Sequence, residues 1–349
     1  MIRMNNDYNH GACDAILQAV QQTNNCDYGG YGYDEWCEKG AEAIRKQLHK
    51  ADADIQFMIG GTQTNYTVID AALRPYQSVI CADTGHINCH EAGSVERTGH
   101  KILTAPAENG KLTAEAVERI AMHYRKSGGA EYLTEPKMVF LSSPSEYGTV
   151  YSKAELSAIQ QVCREYGMYL YLDGARLAYW LTSEGCDVTL ADLAELTDVF
   201  YIGGTKCGAF FGEALVVVNQ GLRPHFRTLM KQTGGILAKG WLLGLQFCPL
   251  FEEDRYFTMA RHANELAMRL KSAFQQADIP LYTDSVTNQQ FVVLTHKQAE
   301  MLSKVCIYET DHEVDAEHIC VRFCTSWSTR DEEITQMEKY ILTLGDEGV

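Results

Sequence analysis

Val199-Phe-Tyr-Ile-Gly-Gly-Thr-Lys206 is the stretch on which the fold turns. Four apolar or aromatic residues, rich in the types that fit a pleated surface, run into two glycines. That is the pattern of a buried strand ending in a turn. The same pattern recurs along the chain. QFMI at 56–59 ends in Gly60-Gly61-Thr62-Gln63-Thr64-Asn65, and further runs lie at 78–83, 101–105, 138–143, 169–173 and 214–218. Amphipathic helical patterns at 114–126 and 153–167 lie between some of them. Short apolar runs interleaved with helices predict a mostly parallel, seven-stranded sheet covered on both faces by helices, an α/β fold.

After Asn219 the pattern changes. Long helices are expected over 237–252 and 256–277, a strand over 289–295, a helix over 296–305, a strand over 319–324 and a last helix over 330–344. The reading is a large domain over 1–250, with an N-terminal arm over about 1–35, and a smaller C-terminal α+β domain over 251–349. Glu252, Glu253 and Asp254 read as a solvated surface or domain joint, and Asp346 and Glu347 as a frayed end.

Composition narrows the function. The net charge is −16 over 349 residues, which argues against non-specific binding to nucleic acid or anionic membrane. Twelve cysteines include no Cys-x-x-Cys pair, so neither a zinc ribbon nor a compact disulfide framework is expected. Neither a signal-peptide stretch nor an 18-residue apolar run is present, and the expectation is a cytoplasmic protein.

In an open α/β sheet, ligands sit beyond the carboxyl ends of the strands. Three strand ends carry chemistry. Gly60–Asn65 precedes a helical pattern, and glycines before a helix N-terminus suit a phosphate, though an ordinary strand–helix turn fits equally. Asp173 ends the run Tyr-Leu-Tyr-Leu, where an acid needs a partner, or else caps the next helix. Arg176 follows and offers a fork to a carboxylate. Lys206 has three readings: a phosphate cradle, a nucleophilic amine or a solvated charge. A Walker loop needs Gly-Lys followed by Ser or Thr, and Lys206 stands between Thr205 and Cys207, so the first fails. Gly203 and Gly204 then read as room beside a flat ring. A phosphate cup, a strand-end acid and a lysine together meet the needs of pyridoxal 5'-phosphate: an anchored phosphate, a carboxylate on the ring nitrogen and an amine for the Schiff base.

Asp173-Gly-Ala-Arg176, Gly203-Gly-Thr-Lys206 and Val321-Arg-Phe-Cys-Thr-Ser-Trp327 resemble the threonine aldolase and β-eliminating lyase family of fold-type-I pyridoxal-phosphate enzymes. Asn6-Asp-Tyr-Asn9, Tyr31-Gly-Tyr-Asp34 and His86-Ile-Asn-Cys-His-Glu-Ala-Gly93 fit as well, in order over nearly the whole chain. The resemblance implies an aspartate aminotransferase-like fold and cleavage of a β-hydroxy-α-amino acid to glycine and an aldehyde. L-threonine, L-allo-threonine and phenylserines are the substrates in view. It implies that Lys206 carries the Schiff base, Asp173 holds the ring nitrogen, and Gly61, Thr62 and Gln63 bind the phosphate. His86 stacks on the ring and takes part in proton transfer. Arg176 and Arg322 grip the substrate carboxylate, with Asn6 assisting and Tyr31 beside the substrate. Lys231 reaches a phosphate across a subunit interface in a homodimer or homotetramer. Where many members show Thr-His-Asn, this chain has Ser143-Pro-Ser-Glu146, which leaves the base at the β-hydroxyl open.

Other readings stay beside this one. β-Elimination is the runner-up chemistry, and a catalytically silent binding protein on the same fold is the alternative of another class. His86-x3-His90-Glu91 also has the spacing of a metal pair, without a third ligand in view, and no metal is expected.

Overall fold

The seven apolar runs pair into one sheet in the computed structural model, which describes residues 1–346. In chain order the strands are β1 (Ile2–Arg3), β2 (Asp54–Met58), β3 (Gln77–Ala82), β4 (Lys101–Ala105), β5 (Glu135–Ser142), β6 (Tyr169–Asp173), β7 (Val199–Gly203), β8 (Glu213–Val217), β9 (Gln289–Thr295), β10 (Cys306–Ile307), β11 (Glu309–Glu313) and β12 (His318–Cys324). The helices are α1 (Asp14–Thr23), α2 (Glu35–Leu48), α3 (Gly61–Ala72), α4 (His86–Cys89), α5 (Ala114–Lys126), α6 (Lys153–Tyr166), α7 (Leu177–Leu181), α8 (Leu190–Leu196), α9 (Phe226–Gln232), α10 (Trp241–Phe251), α11 (Arg255–Gln276), α12 (His296–Ser303) and α13 (Asp331–Asp346).

The large sheet has the order β2-β8-β7-β6-β5-β3-β4. β8 pairs antiparallel with both β2 and β7, and the remaining pairs are parallel. Its central strands are buried on both faces, so they show continuous apolar runs rather than alternation. One apolar core lies on one face, with Leu170, Leu172, Phe200 and Ile202 against helices; the other face carries Tyr171, Tyr201, Val79 and Phe140. Helix α6 starts at a capping box, Ser152 with Glu155, and stops at Gly167 in the left-handed region. These signals place the β5–α6–β6 crossover.

A second, antiparallel sheet, β11-β12-β9, builds the C-terminal unit. β11 (Glu-Thr-Asp-His-Glu) was invisible to hydrophobic patterning because it is a polar edge strand. Strand β1 pairs with β10, and Ile2 and Met4 sit in the C-terminal core. The start of the chain thus packs against its end. Helix α11 spans both cores: Tyr256, Ala260 and Ala263 belong to the large one, Leu266, Leu270 and Phe274 to the small one. The cores divide inside that helix. The helix expected over 237–252 begins at Trp241, because Gly240 closes a turn packed on the Gly32 backbone. Glu252, Glu253 and Asp254 form an exposed joint between α10 and α11. α13 runs to Asp346, and Glu347 lies outside the described residues.

Candidate active site

The site is assembled where β6 and β7 end. Gly203 donates its N–H to the Gly174 carbonyl at 3.0 Å. A Cβ on Gly174 would lie 1.9 Å from the Tyr201 carbonyl oxygen, and one on Gly203 would lie 2.3 Å from that of Ala175. These glycines let two strand ends touch. The expectation that Gly203 and Gly204 leave room beside a ring is therefore corrected: backbone, not open space, faces them. Gly204 likewise meets the Gly212 carbonyl, at 2.7 Å from an added Cβ.

Touching strand ends bring Asp173 beside Tyr201. Asp173 is buried, and both carboxylate oxygens are held. Oδ1 accepts from the Tyr201 hydroxyl at 2.5 Å and from the Ala175 N–H at 3.0 Å; Oδ2 accepts from Asn65 Nδ2 at 2.9 Å. Asn65 is the hub. Its Oδ1 accepts from the Tyr171 hydroxyl at 2.7 Å, and its Nδ2 also donates to Glu91 Oε1 at 2.7 Å. Glu91 holds His86 Nδ1 at 2.8 Å and accepts from Ser94. Burial, and then the Asp173 charge, push Tyr171 and Tyr201 well above the usual phenol range, so both remain donors. Burial is the largest influence on His86 and lowers its pKa, but the Glu91 hydrogen bond and the charges of Glu146, Asp173 and Glu91 together outweigh it, and the net shift is upward. With Nδ1 on Glu91, Nε2 is the nitrogen left for a ligand.

Ligand atoms of His86, Glu91 and Asp173 lie within 4.8 Å of one another, a spacing that a metal ion could use. An amide donor from Asn65 already bridges the two carboxylates. His90 is exposed and outside that group, its ring 5.6 Å from that of His86.

The helix expected to follow Gly60–Asn65 begins within it, at Gly61. Gly60 caps α3 without a side-chain bond, and the first turn closes from the Thr64 N–H to the Gly60 carbonyl at 3.0 Å. The N–H groups of Gly61, Thr62 and Gln63 point out of the helix end, as an anion requires. A Cβ on Gly61 would sit 2.9 Å from the Tyr201 hydroxyl oxygen, so this glycine brings the helix end against the residue that holds Asp173. Gln63 Nε2 donates to the Thr233 carbonyl at 3.1 Å, while its Oε1 is buried without a partner.

Lys206 lies on the turn between β7 and β8, half-buried, its carbonyl held by the Tyr179 hydroxyl at 2.6 Å. Among the described residues nothing hydrogen-bonds its Nζ. Burial and the Arg176 charge lower its pKa, against the opposing pull of Asp7, Asp173 and Glu146. Arg176 has a partner within the chain. Its Nε and Nη2 grip Asp7 at 2.7 and 3.1 Å, and Asn288 supports Asp7 at 2.9 Å. Both N–H groups of Nη1 and the second N–H of Nη2 are left for a carboxylate. Arg322, from β12, donates Nη2 to the Asn5 carbonyl at 3.2 Å, and its Nε is buried without a partner. Asn6 turns its Oδ1 to the Tyr8 N–H.

A family model described as β-eliminating lyase matches residues 6–297. The chain belongs to the β-eliminating lyase family. It is 31% identical over 343 residues to the low specificity L-threonine aldolase of Pseudomonas aeruginosa, covering 95% of this chain and 94% of the relative. A solved threonine aldolase of Leishmania major is 40% identical, with a TM-score of 0.96, covering 99% of this chain and 100% of that one. A variant of the Thermus thermophilus aspartate aminotransferase, 15% identical with a TM-score of 0.71, covers 98% and 96% and shares the fold. Family and fold are those of pyridoxal-phosphate enzymes.

Two of the residues that the family pattern suggested stand apart from the Asp173 cluster. Tyr31 is 50% exposed, and Lys231 Nζ lies 4.7 Å from its ring centroid. Tyr31 lines a separate cavity of about 270 Å³ with Asp34, Gln56 and Arg227. Lys231 still stands two residues from Thr233, whose carbonyl meets Gln63 and Tyr66 at the start of α3.

Sequence reasoning assigned no role to Asn65, Glu91, Tyr171, Tyr201 or Asp7. Asn65 and Glu91 lay inside the quoted Gly60–Asn65 and His86–Gly93 stretches. Neither carries a local signal: Asn65 stands between Thr64 and Tyr66 and Glu91 between His90 and Ala92, and nothing there declares a buried partner until the sheet closes.

Proposed function

We propose that this chain is a pyridoxal-phosphate-dependent lyase that cleaves a β-hydroxy-α-amino acid, such as L-threonine, L-allo-threonine or a phenylserine, to glycine and an aldehyde. The observation that carries the reading is the pairing of a fully satisfied Asp173 with an amine, Lys206, whose pKa burial lowers and whose nitrogen has no hydrogen-bond partner among the described residues. Pyridoxal phosphate, when bound, supplies an electron sink for the pair released as the Cα–Cβ bond breaks.

The residues present fit that cofactor. The open N–H groups of Gly61, Thr62 and Gln63 suit its phosphate, and the orphaned Gln63 Oε1 marks a place where a donor is missing. Asp173 suits its ring nitrogen, because Asn65, Tyr201 and Ala175 keep the carboxylate aimed. Lys206 suits its aldehyde. Arg322 Nε and Arg176 Nη1 meet the substrate carboxylate and orient the scissile bond. The proton of the β-hydroxyl has two acceptors in reach of the site: His86 Nε2, whose ring Glu91 fixes, and Glu146, whose charge is felt at His86, Arg176 and Lys206. We infer a homodimer or homotetramer in which Lys231 and Tyr31 serve the site of a neighbouring copy. The twelve unpaired cysteines suit a reducing cytoplasm.

The test is direct. Purified protein given pyridoxal phosphate should gain a visible absorbance band that Lys206→Ala lacks. It should release aldehyde and glycine from a panel of β-hydroxy amino acids. The 2-oxo acid that keeps all the substrate's carbons, with ammonia, as the products would replace cleavage by β-elimination. A wild type that takes up no cofactor would sink both.

A further inference from the structure

Strand β8 opens on an acid that the functional reading has not used. Glu213 is 4% exposed, beside the strand that leads to Lys206. Its Oε2 accepts from the Gly204 N–H at 3.0 Å, and its Oε1 accepts from the Thr205 hydroxyl at 2.8 Å. The Thr205 oxygen accepts in turn from the Gly212 N–H at 3.0 Å. One buried carboxyl group therefore binds both residues that precede Lys206. Closing the turn does not require it. The Gly204 and Thr205 N–H groups already reach the Gly212 carbonyl, at 3.0 and 3.2 Å. A buried carboxyl is expensive where backbone bonds suffice, so its chemistry calls for a second explanation.

We propose that Glu213 is a positioning residue for Lys206: through Gly204 and Thr205 it staples the turn that presents the amine, and so sets the state in which the amine works. The inference rests on the reading of Lys206 as the reactive amine. The titratable groups that face Glu213 are Lys206, Asp173, Tyr171, Tyr201 and Tyr256. Burial keeps the three phenols neutral. Burial also pushes the Glu213 carboxyl up to about 8, with Thr205, Lys206 and Gly204 pulling it back. The acid has moved up and the amine down, toward each other. Proton transfer between them, carboxylic acid and amine to carboxylate and ammonium, balances without a third reactant. Coupling of two titrations is reciprocal, so whatever Lys206 does to Glu213, Glu213 does to Lys206.

The experiment reads Lys206 itself. Full-length protein stripped of cofactor is acetylated over a pH series, and the Lys206 peptide is quantified by mass spectrometry. The wild type should show two titration steps. Glu213→Gln keeps the shape of the staple but cannot ionise. It should show one step, with its midpoint lower by about one unit, which is a roughly tenfold higher reactivity below the midpoint. An unshifted midpoint in Glu213→Gln overturns the proposal. Should that variant fail to fold, a single-step profile in the wild type overturns it equally. Cofactor absorbance separates the two failures: an intact band with an unmoved midpoint removes the role of Glu213 and leaves that of Lys206.

Discussion

Around Asp173 each carboxylate oxygen has a donor, Asn65 spends both ends of its amide, and Glu91 closes the chain onto His86. Elsewhere in the site, among the described residues, Lys206 Nζ has no hydrogen-bond partner, and Arg322 Nε and Gln63 Oε1 are buried without one. The contrast is physical. A satisfied buried network is rigid and holds one geometry. An unsatisfied buried group costs free energy that a ligand can recover. The first half sets the electronics of what binds; the second half marks where it binds. Arg176 bridges the two: Asp7 holds it through Nε and Nη2, and Nη1 stays open.

Removing the charge of the satisfied half should have the largest effect. Asp173→Asn keeps the shape, and kcat/KM for aldehyde release should fall roughly 10²–10³-fold at saturating cofactor. A rate within a factor of two of wild type would mean that this carboxylate is only structural. Arg322→Leu strikes the unsatisfied half. It should raise KM roughly 10- to 100-fold, the loss of a charged hydrogen bond, and leave the cofactor band unchanged. Equal losses in cofactor and substrate binding would show that the two halves are not separate. Asn65→Ala opens the hub and should destabilise the fold by about 2 kcal/mol in urea unfolding, since it removes one donor from each of two buried carboxylates and the acceptor of the Tyr171 hydroxyl.

The smallest effect is a pH dependence. The folded pKa of His86 lies above its ordinary 6.5, because the Glu91 hydrogen bond and the charges of Glu91, Glu146 and Asp173 together outweigh burial. A histidine raised in the folded state adds stability that is fully present below 6.5 and is lost as pH rises through the folded value. The melting-temperature gap between wild type and Glu91→Gln should therefore be widest below pH 6.5 and narrow above it. A gap that is constant with pH would place the stabilisation in Asn65 and Ser94 rather than in His86.

Much of this was written in the order of residues. The seven apolar runs all became strands; the central ones are buried on both sheet faces, so burial repeats along the strand and needs no partner to be seen, while the edge strand β4 was legible from its apolar run alone. The strand-end positions of Asp173 and Lys206 followed from the same runs. The direction of β8 also left a trace that went unused: 213 − 203 − 1 leaves nine residues between β7 and β8, too few for a parallel crossover. Strand β11 left none, because a polar edge strand has no buried face to betray it.

What the sequence determined by itself was local: strand ends, a phosphate-suited helix start and one lysine after a glycine pair, each dictated by neighbours a few residues away. Only the tertiary structure decided which polar groups pair. Asp7 and Arg176 are 169 residues apart, and Asn65 and Asp173 are 108 apart. A buried charge must find a partner, but the partner is chosen by how the sheet and the chain termini close. That closure is why Arg176 is occupied, why Lys206 is free, and why Glu213 lies beside the turn that carries it.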